Sequence, residues 1–138
     1  MYDTQQALIA HLQTSNKAQA VKAYAGEIQK AVRDRRILKT PAILVMFITG
    51  KPIAEERDHQ FDLLICTKSD VYDEEANQVA NIQLAADVAE WLEANPSFSD
   101  ATYNYELDPE TLDAELLLQD DRFTIIALHV GVTKYSHL

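Results

Sequence analysis

Eight consecutive residues, Pro41-Ala42-Ile43-Leu44-Val45-Met46-Phe47-Ile48, are apolar. A strand with one wet face alternates, whereas this run is apolar on both faces and must be covered on both. It is far short of the ~20 residues needed to cross a bilayer. It therefore predicts a central strand with material packed above and below. Thr49-Gly50-Lys51-Pro52 supplies turn chemistry after it. The segment Gln60 to Thr67 then reads as a partner strand, and the short connection predicts an antiparallel pair. That connection exceeds what a tight hairpin needs, so its tip, with Lys51, Glu55, Glu56 and Arg57, is a candidate mobile loop. Arg122 to Lys134 is a second strong strand, with Phe123, Ile125, Ala127 and His129 on one side and Ile126, Leu128, Val130 and Val132 on the other.

Helical spacing occupies the ends and the middle of the chain. Asp3-Thr4-Gln5-Gln6 has the form of a capping box ahead of a helix from Thr4 to Gln13, closed by Thr14-Ser15-Asn16. Val21, Ala23 and Ala25 alternate with Lys22 and Tyr24 in a weak strand over Gln19 to Ala25, ended by Gly26. Glu27 to Arg36 predicts a second helix. The longest helix runs from Glu74 to Asn95, capped by Asp70 or Asp73. Ala80, Leu84, Val88, Trp91 and Leu92 share one face of it, broadened by Val79, Ile82 and Ala86, with Gln83, Asp87 and Glu90 as the wet stripe. Thr102 to Glu106, where Tyr103 and Tyr105 alternate with polar residues, predicts an exposed strand broken by Asp108-Pro109, and residues 109–121 fit either a helical turn or an edge strand. The expectation is one α+β domain over residues 1–138: a mixed, mostly antiparallel sheet of four to five strands, with the long helix and shorter N-terminal helices packed on it.

The net charge of −10 is unevenly spread. Residues 1–40 carry seven Lys/Arg against three Asp/Glu, whereas residues 70–121 carry fifteen Asp/Glu and no Lys or Arg. The balance argues against sequence-specific nucleic-acid binding, which needs a basic surface. Two readings of the split stay open. One is a solvated acidic surface that maintains solubility. The other is a head-to-tail contact between copies, which closes into a ring or runs on as a filament. The candidate contact residues are Arg33, Arg35 and Arg36 on one side, with Asp87, Glu90, Tyr103 and Tyr105 on the other.

Catalytic patterns are missing from the sequence. Three glycines exclude a Gly-rich phosphate cradle, and there is no G-x-S-x-G elbow or H-E-x-x-H pair. The nearest thing to a metal site is Glu55, Glu56, Asp58, His59 and Asp62, which has the ligand types for Mg or Mn but no known spacing. The competing reading is a solvated turn. Asp62 followed by Lys68 resembles the metal nucleases, but their Glu-x-Lys element is absent. His129 reads as a core or interface histidine ahead of a catalytic base. Tyr103 and Tyr105 could stack on bases, yet they lie in the most acidic part of the chain. No cofactor is expected. Cys66, the sole cysteine, reads as a small buried hydrophobe and gives neither a disulfide nor a metal pair, which suggests a reducing cytoplasm. Met1-Tyr2-Asp3 opens without a basic region ahead of an apolar stretch, so neither a secretory signal nor a membrane anchor is expected.

Val21-Lys22-Ala23-Tyr24-Ala25-Gly26-Glu27, then Pro41-Ala42-Ile43-Leu44-Val45 leading to Gly50, a Phe-Asp-Leu-Leu-Ile strand and a long helix ending in Trp-Leu form an ordered set. In this order the chain, from about residue 5 to 133, resembles the small tail-region proteins of Mu-like phages and prophages. It is similar also to the tail terminator proteins of long-tailed phages. The resemblance implies an α/β fold with a mixed or antiparallel sheet flanked by helices. It further implies a structural role without catalysis: a hexameric ring that caps the tail tube and meets the head-completion or connector proteins. The implied location is the virion tail, assembled in the host bacterial cytoplasm. Two alternatives are a metal-dependent hydrolase or nuclease using acidic residues near 55–62, and a bacterial adaptor module unrelated to phage.

Overall fold

The computed structural model describes residues 2–24, 40–48, 58–68, 74–119 and 123–136. Helix α1 spans Tyr2–Thr14 and is followed by strand β1, Ala20–Tyr24. The strands β2, Ala42–Phe47, and β3, Asp58–Lys68, come next. Helix α2, Glu74–Ala94, leads into three strands: β4, Ser97–Ser99, β5, Tyr103–Gln119, and β6, Phe123–Ser136. The strands form one mixed sheet in the order β1-β2-β3-β6-β5-β4. β1 runs parallel to β2, and every other pairing is antiparallel.

The class is α+β, as expected, but the sheet has six strands rather than four to five. The added strand is β4, three residues just past the long helix, and a second difference lies in β5, at Asp108-Pro109, which reads as a break. The strand instead absorbs it in a bulge: Asp108 faces Gly131 and the register resumes at Asp113 opposite His129. Proline is compatible with such a position because β5 lies near the edge of the sheet. Residues 109–119 are therefore strand, continuous with Tyr103–Asp108. The predicted helix over 27–36 and the loop tip at 51–57 lie outside the described residues.

The core follows from strand alternation. Ile43 and Val45 of β2, Phe61, Leu63 and Ile65 of β3, and Ile126, Leu128, Val130 and Val132 of β6 face the helices. Leu8 and Leu12 of α1 and Val88 and Leu92 of α2 pack onto them, all at most 1% exposed. Full burial of each such side chain contributes about 1.5–3 kcal/mol. On the opposite side Ala42, Leu44, Leu64, Cys66, Ile125 and Ala127 make a second, smaller apolar cluster. Both faces of β2 are thus covered, as its composition requires. Cys66 is fully buried there, and burial pushes its thiol up to about 12. α1 ends where Asn16 adopts a left-handed φ of 57°, a conformation Asn tolerates.

The buried face of α2 is rotated from the predicted one. Asn81, Ala85, Val88 and Leu92 form the buried line. Leu84 and Trp91 are half-buried, while Val79, Ala80, Ile82 and Ala86 are exposed. The cause is Asn81, whose amide nitrogen lies 3.2 Å from Ile65 O, 2.7 Å from Thr67 Oγ1 and 3.3 Å from Thr124 O. Its two hydrogens are shared among these acceptors, fixing the helix over β3 and β6.

Candidate functional site

Antiparallel partners project to the same side, so register defines what each face carries. On the side away from the helices, β3 presents Asp58, Gln60 and Asp62 opposite Thr133, Gly131 and His129 of β6. β5 adds Glu106 and Asp108 before the bulge and Asp113 and Glu115 after it. None of these six carboxylates has a lysine or arginine as its cross-strand partner. This half of the face is polar, and its continuation toward the other end is the small apolar cluster around Leu64 and Ala127.

His129 sits at the centre of the acidic half. Its Nδ1 hydrogen-bonds Asp62 Oδ1, and its Nε2 lies 3.7 Å from Glu115 Oε2. Asp113 is its cross-strand partner on β5. Burial by itself lowers the imidazole pKa. The hydrogen bond to Asp62 and the charges of Asp62, Asp113 and Glu115 outweigh it, so the pKa is raised. A protonated imidazole donates to Asp62 through Nδ1 and pairs its charge with Glu115 without a hydrogen bond. The imidazole thus forms a clasp across β3, β6 and β5, hydrogen-bonded on one side and ion-paired on the other.

The neighbouring cavity, lined by Ile48, Gln60, Phe61, Thr111, His129, Val130 and Gly131, holds about 130 Å³. That is below the roughly 300–1,000 Å³ of small-molecule pockets. Thr111 closes it: its hydroxyl donates to Asp108 O at 2.7 Å and accepts from Gly131 N at 2.7 Å. A wider depression of about 350 Å³ lies over β4 and β5, lined by Ser97, Phe98, Ser99, Asn104, Tyr105, Glu106 and Tyr135. It offers hydroxyls, an amide and one carboxylate.

β3 divides the metal ligands considered from sequence. Asp58 and Asp62 project to the acidic side, whereas His59 is 4% exposed on the helix side, beside Phe47 and Phe61. Among the described residues no three His, Cys, Asp or Glu side chains are grouped to hold a metal ion. Glu55 and Glu56 lie outside the described residues, as do Lys51, Arg57 and the contact candidates Arg33, Arg35 and Arg36.

The remaining contact candidates separate. Glu90 is exposed on α2, and Asp87 is half-buried and accepts from Gln83 Nε2 at 3.0 Å. Tyr103 is half-buried with Lys134 Nζ 4.4 Å from its ring centre. Tyr105 requires a correction: it is 1% exposed and belongs to the core, not to a contact surface. It stacks on Phe98 at 5.2 Å and donates its hydroxyl to Asp100 Oδ2 at 2.6 Å. The residue faces inward because β4 pairs with β5 and brings Phe98 beside it. His11 continues this aromatic stack, 4.6 Å from Phe98 and from Trp91, and bonds Asn95 O through Nε2 at 2.7 Å.

Sequence reasoning gave Asp62 and His129 separate roles and did not join them. They are 67 residues apart, and no local pattern links them. No protein-family model and no curated protein matches the chain. Eight solved chains match it by fold. One of these, which carries no functional name, aligns over 98% of this chain and 92% of its own at 12% identity, with a TM-score of 0.53. At that identity the likeness speaks for the fold alone.

Proposed function

We propose that the chain is a structural tail protein of a Mu-like phage or prophage, a tail terminator or tail-completion protein. In this reading copies form a ring, six in the family it resembles, that caps the tail tube and meets the head-completion protein. No reaction or cofactor is part of the role, and the protein resides in the virion tail after assembly in the bacterial cytoplasm. One observation carries the reading: charge is divided along the chain, basic before residue 40 and acidic from 70 to 121. Eleven of the fifteen carboxylates of residues 70–121 are among the described residues, on α2, on β5 and at Asp100 between β4 and β5. The segment holding Lys30, Arg33, Arg35, Arg36 and Lys39 lies in sequence between β1 and β2. Unlike segments attract head to tail, and a head-to-tail contact that repeats with a closing rotation makes a ring. The mixed sheet with helices packed on it supports the same reading, being the architecture the resemblance implies. Sedimentation of the protein with and without purified tail tubes tests the proposal. A ring, or a monomer that joins the tube end as a ring, is the expected result. A chain that neither self-associates nor caps tubes would overturn it.

A further inference from the structure

Beyond its first bulge, β5 is tied to the sheet along one edge. β4 pairs only with Asn104, Tyr105 and Glu106, so among the described residues Asp113 to Gln119 are laddered to β6 alone. Register shifts fall just before Asp113 and again between Leu116 and Leu118, and each interrupts the ladder. Asp113, Ala114, Glu115 and Leu116 are exposed one after another, so little apolar burial holds this stretch. Ahead of it the chain is pinned, because the Thr111 hydroxyl donates to Asp108 O and accepts from Gly131 N. A strand with one bonded edge, exposed side chains and a fixed pivot is the kind of unit that opens locally before the fold does.

The polar contact that reaches this stretch from the rest of the sheet is His129. Its ring bonds Asp62 on β3, stands opposite Asp113 on β5 and lies 3.7 Å from Glu115 of the same strand. We propose that His129 is a proton-operated latch: its imidazolium holds residues 113–119 of β5 against β6, and its deprotonation frees them. With the proton in place, one cation sits between the carboxylates of β3 and β5. Without it, Asp62, Asp113 and Glu115 repel one another across a neutral ring. The strain falls on β5, because β3 is bonded on both edges and Asp62 is buried, whereas β5 is bonded on one. The other groups on this face do not replace the lost charge. Gln60 and Thr111 are neutral, and Asp58, Glu106 and Asp108 add to the repulsion. Among the described cations, Lys22 on β1 is three strands from β6, Lys68 ends β3, and Lys134 lies over the Tyr103 ring on the other side of the sheet. Burial lowers the His129 pKa, but the bond to Asp62 and the charges of Asp62, Asp113 and Glu115 outweigh it and raise it. The latch is therefore closed below about 6.5 and opens as pH rises through the higher folded-state value. Opening lifts Leu117 from the apolar cluster of Leu64, Cys66 and Ala127 on which it packs. The latch stands whether or not copies assemble.

Hydrogen exchange resolved to individual amides, taken from about pH 6 to about pH 9 and corrected for intrinsic rates, tests it. Protection at 113–119 should fall about three- to tenfold across that range, as expected for the loss of one cation paired with partly exposed carboxylates, while protection in β2 and β3 stays level. Asp113→Asn with Glu115→Gln alters exposed positions and removes the repulsion. In that variant the fall at 113–119 should shrink to less than about half in logarithmic terms. Protection at 113–119 that is flat with pH would overturn the latch. So would a fall shared equally by β2 and β3, which marks loss of the whole fold, or a fall of undiminished size in the double variant.

Discussion

Two histidines titrate in opposite directions, and each gives a signed expectation. His129 has a raised pKa, so its contribution to stability is complete below the ordinary value of about 6.5 and is lost as pH rises through the folded-state pKa. Replacing Asp62 by Asn should bring the His129 titration back toward that ordinary value, followed by NMR; an unmoved titration would sink the clasp. In His11 burial lowers the pKa and the bond to Asn95 only partly opposes it, so its contribution is present above about 6.5 and is lost as pH falls. Urea midpoints measured against pH should therefore flatten on the alkaline side in His129→Gln and on the acid side in His11→Gln. Gly131 supports a third expectation. A Cβ there would lie 2.9 Å from Thr111 Cγ2 and 3.0 Å from Thr111 Oγ1. The Thr111 hydroxyl is held by two hydrogen bonds and cannot yield freely. Gly131→Ala should cost about 1–3 kcal/mol in chemical denaturation, and Thr111→Gly in the same chain should return part of it.

At the scale of elements, Asn81 is the pin between α2 and the sheet. Its removal in Asn81→Ala leaves the strand acceptors Ile65 O and Thr124 O short of a donor inside the core. A loss of about 1–3 kcal/mol is expected from the urea midpoint, with helix content retained. This position also explains what sequence could and could not yield. β2, β3 and β6 were legible because burial there is written directly in apolar residues, on both faces of β2 and in alternation along β6. The first helix was legible through Leu8 and Leu12, which are buried as their spacing requires. The face of α2 was misread because a polar residue holds its centre, and hydropathy cannot register an amide whose acceptors are strand carbonyls 16 and 43 positions away. β5 was misread for a related reason. Asp108-Pro109 signals a stop locally, but pairing with β6 carries the strand across it through a bulge. Of the contact candidates, Tyr105 shows that alternation with polar neighbours does not reveal which face a strand buries; β4, only three residues long, decides that. The Asp62–His129 clasp likewise depends on strand register over 67 residues.

At the scale of the whole molecule, charge is the property most open to test, because ionic strength acts on it without altering the chain. The net charge of −10 by itself predicts mutual repulsion between copies, which added salt would weaken. The separation into a basic stretch before residue 40 and a stretch from 70 to 121 without any cation predicts the reverse for oriented copies, an attraction that salt weakens. The two effects therefore have opposite signs in one experiment. Screening length falls from about 10 Å at 0.1 M to about 3 Å at 1 M ionic strength. If association is driven by the unlike segments, the sedimentation-derived association constant should fall steadily across that range. Glu115→Lys should weaken assembly at 0.1 M and lose most of its effect at 1 M, where its charge is screened. If association instead strengthens with salt, apolar contact at Val79, Ile82 and Leu116 dominates and the charge division serves solubility. A fall with salt that is erased by Glu115→Lys assigns the attraction to the β5 edge. A fall that survives it assigns the attraction to carboxylates elsewhere in the acidic stretch, and β5 is then not the acceptor.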